Sequence, residues 1–406
     1  MKTGGMVIAG GGMAGARAVI GLRANGWEGS ITLIGDETLY PYDRPPLSKA
    51  AITDRDEPEP VLLLDAGQMS SLKATFISGN GAAAIHPAKK TVTLADGAVL
   101  NYDKLLLATG AKPRRLTVPG HEHAVLLRDF PDAQRLRAQF SDGRRIAIAG
   151  GGFIGLELAA SASKRGCKVT VVEALPRILS RGVPPEIAEL VHRRHIAAGV
   201  EILTGTGIAS LSATGIHLAD GRVIAAELVI AGIGAVPETR LAAEAGLAID
   251  NGIACDGHLR TSDADIFAAG DCCSFPHPLS GNRRIRLEAW RNATDQANTA
   301  AQNMLGGSVV YAAVPWFWSD QHDLTLQIAG FPGEGVSTVR RQLSANAFIM
   351  FHRDAAGRLV GASGIGPGNT IARDIRLAEM LIGKGISPTP EALADPAAAL
   401  KSLLKA

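Results

Sequence analysis

Three glycines, Gly10, Gly12 and Gly15, hold the spacing G-x-G-x-x-G within Val7-Ile8-Ala9-Gly10-Gly11-Gly12-Met13-Ala14-Gly15. The chemistry open to them is the binding of a pyrophosphate. One glycine makes a tight turn, one lets the backbone approach the phosphates, and one lets a helix pack on a strand. About 21 residues past the last glycine comes Asp36-Glu37, where a carboxylate can accept hydrogen bonds from an adenosine ribose. The grouping returns in Gly150-Gly151-Gly152-Phe153-Ile154-Gly155-Leu156-Glu157, with Glu173 about 18 residues beyond the last glycine. Two such sites in one chain point to two dinucleotides, most simply a flavin and a nicotinamide exchanging a hydride.

The elements that would position these residues are legible around them. Each fingerprint follows a short apolar strand and opens a helix, whose first N–H groups and dipole end suit phosphate. A second apolar strand then leads to the acid, at residues 31–34 and again at 169–172. Asp96-Gly97 and Asp220-Gly221 mark tight turns of small β-meanders. Each meander is followed by an apolar strand ending on small residues, Leu107-Ala108-Thr109-Gly110 and Ala231-Gly232-Ile233-Gly234, where a ligand can approach the backbone. A third strand, Ile266-Phe267-Ala268-Ala269-Gly270-Asp271, puts a carboxylate at a strand's C-terminal edge. An amphipathic helix from about residue 288 to 305 follows, its first turn at Ala289-Trp290-Arg291-Asn292 offering a positive dipole end. After Asp36-Glu37, Tyr40-Pro41-Tyr42-Asp43-Arg44-Pro45-Pro46-Leu47-Ser48-Lys49 is stiffened by proline and carries two cations. Alternation from about residue 319 onward, ending in helices, reads as a small α+β domain.

The expected fold is therefore α/β, with two Rossmann-like dinucleotide-binding domains of the glutathione-reductase type plus a C-terminal α+β domain. The expected boundaries are 1–113 with 239–318 for the first domain, 114–238 for the second and 319–406 for the third. A length of 406 residues needs more than one core. The net charge of +2, without a polybasic run, gives no footprint for nucleic acid. Lys2 ahead of small apolar residues imitates a signal peptide, but five glycines between positions 4 and 12 interrupt that run. No stretch of about 18 apolar residues exists to span a membrane. Four cysteines without C-x-x-C suit a reducing compartment, so the expected location is cytoplasmic. The adjacent Cys272-Cys273 are poorly placed for a disulfide, and all four cysteines read as structural. His192 and His195 flank Arg193-Arg194 and read as a solvated helix face rather than a metal site. Arg283, Arg284 and Arg286 cluster as a candidate basic face.

The motifs Arg44-Pro45-Pro46-Leu47-Ser48-Lys49, Leu107 to Gly110, Gly150 to Glu157, Ala231 to Gly234, Gly270-Asp271 and Pro315 to Gln321 occur in that order along nearly the whole chain. In this the chain resembles the flavoprotein ferredoxin reductases of bacterial oxygenase systems. The resemblance implies FAD at the first fingerprint, with Gly10, Gly12, Met13, Ala14, Gly15, Asp36, Glu37, Arg44, Pro45, Lys49, Ala82, Ala108, Thr109, Gly110, Arg128, Gly270, Asp271, Trp290 and Trp318 as contacts. It implies NADH at the second, with Gly150, Gly152, Phe153, Ile154, Gly155, Glu157, Glu173, Gly232, Ile233 and Gly234. Glu173 would favour NADH over NADPH, with nearby Arg177 softening the preference. Lys49 and Glu157 are implied as an ion pair acting in catalysis. The implied partner is a small [2Fe–2S] ferredoxin feeding a terminal oxygenase, and the chain would be a monomer or homodimer. Related disulfide reductases carry a redox cysteine pair beside the flavin, whereas the loop from Arg44 to Lys49 has none. An NADH oxidase or peroxidase, and a redox sensor resembling apoptosis-inducing factor, are the competing readings.

Overall fold

Short Val-, Ile- and Leu-rich runs alternate with Ala- and Gly-rich helical stretches, a pattern that builds parallel strands with helices laid over them. The computed structural model describes residues 4–54 and 56–405, so Lys2 lies outside the described residues. The chain contacts divide into two units. The first takes the described residues of Met1–Asp43, Pro60–Lys112 and Val236–Pro315; the second takes those of Arg44–Glu59, Pro113–Ala235 and Trp316–Ala406.

In the first unit, strand Gly5–Ala9 pairs in parallel with Ile31–Ile34 on one side and Val99–Leu107 on the other. Ile266–Ala268 returns to pair with Val99–Leu107, in register with Leu105 to Leu107. Ala9, Ile34, Leu107 and Ala268 therefore all end at one sheet edge. The residues after them are the motif residues. Helix Met13–Ala24 packs along helix Trp290–Met304, and Gly21 allows the close approach: a Cβ there would lie 3.0 Å from Ala301 Cβ. Val7, Ile8, Leu33, Leu106 and Phe267 form the centre of this core.

The second unit repeats the plan. Arg145–Ala149 lies between Lys168–Glu173 and Leu228–Ala231, all parallel, so that Gly150, Glu173 and Gly232 share an edge. A five-stranded antiparallel sheet in the order Trp316–Gln321, Leu324–Gly330, Leu359–Pro367, Ala347–Arg353, Ser337–Ser344 carries helix Ala372–Gly383. This sheet shares one core with the dinucleotide fold of its unit, since Leu324, Leu326, Phe348 and Ile365 pack with Ile146, Leu156 and Ile187. The proline loop also groups here, with Ile52 fully buried in that core. No helix among the described residues is long and apolar enough to cross a membrane.

Candidate functional site

In the first unit each fingerprint glycine meets a distinct steric demand. Gly10 has φ +128°, and a Cβ on it would stand 2.1 Å from the Ala108 carbonyl oxygen. A Cβ on Gly15 would strike the Gly10 carbonyl at 2.0 Å, whereas one on Gly12 would meet nothing within 4 Å. The open position is the helix N-cap, and no side chain caps it. The first-turn N–H groups are left to face an anion across a surface without side chains, which is the cradle a pyrophosphate requires. Asp36 stands exposed just past strand Ile31–Ile34, and Glu37 accepts a hydrogen bond from the Tyr42 hydroxyl at 2.5 Å. Gly270, at φ +84°, donates its N–H to Gln296 Oε1 at 2.8 Å, and a Cβ on it would lie 3.2 Å from Ala14 and 3.7 Å from Ala293. The strand edge, the first helix and the start of helix Trp290–Met304 thus converge. Trp290 is fixed there by donating Nε1–H to Asp43 Oδ1 at 2.7 Å. The residues present fit a dinucleotide.

The second unit reproduces the cradle. A Cβ on Gly150 (φ +107°) would lie 2.5 Å from the Gly232 oxygen, one on Gly155 would lie 2.1 Å from the Gly150 oxygen, and one on Gly152 would find nothing nearer than 4.0 Å. Glu173 accepts from the Gly151 and Leu175 N–H groups, both at 2.8 Å. Its carboxylate is thereby held beside the fingerprint, with further lone pairs available to ribose hydroxyls. Arg177 is not free to receive a phosphate, because its guanidinium spans the carbonyls of Ile178, Leu179, Ser180 and Val183 at 3.1–3.4 Å. Ile154, in the first helical turn, is exposed, and Phe153 packs on Phe317 with ring centroids 4.5 Å apart.

One turn further along this helix Glu157 is 4% exposed and fully engaged. Lys49 Nζ lies 3.2 Å from Glu157 Oε1 and 3.3 Å from Asp320 Oδ2. Ser48 donates its hydroxyl to Glu157 Oε2 at 2.5 Å, and Ser319 donates to Oε1 at 2.6 Å. Lys49 also sits 5.6 Å from the ring centroid of Trp318, which stacks on Trp316 at 5.3 Å. A buried carboxylate is tolerated only with such compensation. Behind it, Gln321 Nε2 donates to Ser319 at 2.8 Å, Gln321 Oε1 pairs with His195 Nε2 at 3.0 Å, and His195 Nδ1 pairs with His322 Nε2 at 3.2 Å.

Residues 5–297 match the model of the pyridine nucleotide-disulphide oxidoreductases, and residues 316–404 match that of the reductase C-terminal domain. The chain belongs to the pyridine nucleotide-disulphide oxidoreductase family. The ferredoxin–NAD(+) reductase component of the anthranilate 1,2-dioxygenase system of Burkholderia cepacia is 40% identical, covering 98% of each chain. The crystal structure of the ferredoxin reductase for the CYP199A2 system of Rhodopseudomonas palustris superposes with a TM-score of 0.93 at 35% identity, covering 98% of this chain and 99% of that one. That of the covalent putidaredoxin reductase–putidaredoxin complex gives 0.93 at 34%, covering 99% and 98%. The chain is thus a member of the ferredoxin reductases of oxygenase systems within that family. Unlike the members whose disulphide names the family, it keeps Cys167, Cys255, Cys272 and Cys273 free and buried. Burial pushes the Cys272 thiol up to about 11 and raises Cys273 as well, which leaves both protonated and unreactive.

The candidate residues divide between the two units of this family member. Ala82, Ala108, Thr109, Gly110 and Asp271 join Gly10 to Asp36 and Trp290 in the first; Thr109 donates its hydroxyl to the Glu238 carbonyl at 2.6 Å. Arg44, Pro45, Lys49, Arg128 and Trp318 fall in the second, where Arg44 donates to the Arg128 carbonyl at 2.6 Å. Two expectations need correction. His195 is fully buried rather than solvated, because Ile187, Val191 and His195 recur every four residues along the buried face of helix Pro185–Ala197. Arg284 and Arg286 do not form a free basic face: Arg284 donates to the Cys255 and Ser274 carbonyls, and Arg286 to the Asp271 carbonyl and Glu288. Ser48, Ser319, Asp320 and Gln321 lie inside motifs quoted from the sequence yet were not singled out. Ser48 and Ser319 reach Glu157 from 109 and 162 residues away, so local spacing gave no signal.

Proposed function

We propose that this chain takes a hydride from NADH and delivers the electrons singly to a [2Fe–2S] ferredoxin that serves a terminal oxygenase. The observation that carries the reading is the pair of dinucleotide cradles on one chain, together with free, buried cysteines that leave no accessible thiol to relay electrons. Bound FAD supplies the conversion between a two-electron donor and a one-electron acceptor. Gly10, Gly12, Ala14, Gly15, Asp36 and Asp271 hold that flavin, within a domain of residues 1–113 and 239–318. Gly150, Gly152, Gly155 and Glu173 hold NADH within residues 114–238, and residues 319–406 complete the chain. Glu173 favours NADH, since its carboxylate accepts from ribose hydroxyls and repels a 2′-phosphate. The Lys49–Glu157 pair sets the charge at the nicotinamide end of the second cradle. We place the enzyme in the cytoplasm, as a monomer or homodimer.

Purified protein should be yellow, with about one FAD per chain, a stoichiometry set by the first fingerprint and its matching acid. NADH should bleach it under anaerobic conditions. A preparation that neither holds nor takes up FAD contradicts the reading.

A further inference from the structure

Hydrogen-bond directions in the second unit can be fixed from one end. Glu157 is the partner of the Lys49 ammonium and so acts as a carboxylate, which only accepts. Ser319, 2.6 Å from it, must therefore spend its single hydroxyl proton there. The Ser319 oxygen can then only accept from Gln321, so the amide NH₂ group faces Ser319 and the amide oxygen faces His195. His195 must answer with a proton on Nε2. As a neutral imidazole it has a bare Nδ1, which obliges His322 to donate from its own Nε2. Every donor along the chain points towards Glu157.

We propose that Gln321, His195 and His322 are positioning residues for Glu157, forming a chain that commits the Ser319 hydroxyl to the carboxylate and fixes its orientation towards Lys49. This rests on the reading of Lys49 and Glu157 as the charge pair at the nicotinamide end. Three further observations agree. Gln321 and His195 are both fully buried, so water cannot substitute for a lost partner. Burial lowers His195 to about 4 and His322 to about 4, keeping both neutral at pH 7 as the directions require. His322 is held in the left-handed region at φ +60°, and its ring centroid lies 4.5 Å from that of His195. Without Gln321, the Ser319 hydroxyl can rotate away from Glu157, and the carboxylate loses one of its two hydroxyl donors.

Two measurements on the FAD-loaded chain test this. The first is imidazole ¹⁵N NMR at pH 7. His195 and His322 should each be neutral with the proton on Nε2; a charged His195, or one carrying its proton on Nδ1, overturns the proposal. The second is stopped-flow reduction of the flavin by NADH in Gln321→Leu, Ser319→Ala and the double variant. Each single change should slow the limiting rate by about 3- to 10-fold, the scale of one ordinary hydrogen bond, with NADH affinity unchanged. The double variant should be no slower than the slower single, because Gln321 acts through Ser319. An unchanged rate in Gln321→Leu, or losses that multiply, overturns it. If Gln321→Leu does not fold, His322→Asn keeps a residue tolerant of positive φ and breaks the outer end. It should leave the His195 proton on Nε2, where the Gln321 oxygen still holds it, and reduce the rate by about 2-fold or more, a smaller effect than at Ser319. A His195 proton that moves to Nδ1, or a wild-type rate, overturns the proposal. A wild-type flavin that NADH does not reduce would instead contradict the assigned function and leave the NMR result standing.

Discussion

At the scale of single residues, Glu157 governs the site's behaviour. Its carboxylate is buried and receives Lys49, Ser48 and Ser319. Lys49→Ala removes the counter-charge and leaves a buried carboxylate with only neutral donors, which costs on the order of 3 kcal/mol of stability. Glu157→Ala leaves Lys49 with Asp320, which is partly exposed, so its stability loss should be smaller. Both variants should keep FAD and show slower reduction by NADH; wild-type rates in both would remove the pair from the mechanism. Glu173 sets the second expectation. With the Arg177 donors taken by four carbonyls, this guanidinium is not available to hydrogen-bond a 2′-phosphate, and kcat/KM should favour NADH over NADPH by at least about 10-fold. Equal values would refute the role of Glu173.

At the scale of elements, helix Pro185–Ala197 and strand Trp316–Gln321 trap neutral histidines, and this gives stability a pH dependence. In the unfolded chain His195 takes up a proton near its ordinary 6.5, whereas burial holds the folded group down to about 4. The unfolded state therefore binds more protons in that interval, and stability present above pH 6.5 should fall as pH drops towards 4. His195 alone accounts for ~3 kcal/mol, and His322 and His352, each lowered to about 4 chiefly by burial, act in the same direction. Denaturant unfolding at pH 7.5 and pH 5 checks this; equal midpoints would contradict it. Elements of this kind were unevenly legible. The strand–glycine–helix units around Gly10 and Gly150 could be read because local sterics dictate their sequence, and Ile266 to Asp271 because a strand ending in Gly-Asp has few other uses. The burial of His195 was missed because Arg193-Arg194 dominate the local impression, while the four-residue spacing of Ile187, Val191 and His195 was the signal present. Ser319 and Gln321 were hidden for another reason: their partners, Glu157 and His195, come from two helices far away in sequence.

At the scale of the whole molecule, one chain carries two nucleotide cradles of the same design, built on repeated parallel sheets whose C-terminal edges collect the functional residues. The proline loop and the C-terminal sheet group with the second cradle, which supplies Glu157 with Lys49, Ser48 and Ser319. Nothing in the thiol chemistry offers an alternative outlet for electrons, since all four cysteines are buried and free. The electrons taken from NADH as hydride should leave singly to an iron–sulfur partner. The most direct test is anaerobic titration of the FAD-loaded protein with NADH in the presence of oxidised [2Fe–2S] ferredoxin, followed optically at the flavin and the cluster. About two ferredoxins should be reduced catalytically per NADH, as electron balance between a two-electron donor and a one-electron acceptor demands. NADH oxidation that proceeds only with oxygen or peroxide, with the ferredoxin left oxidised, would contradict it.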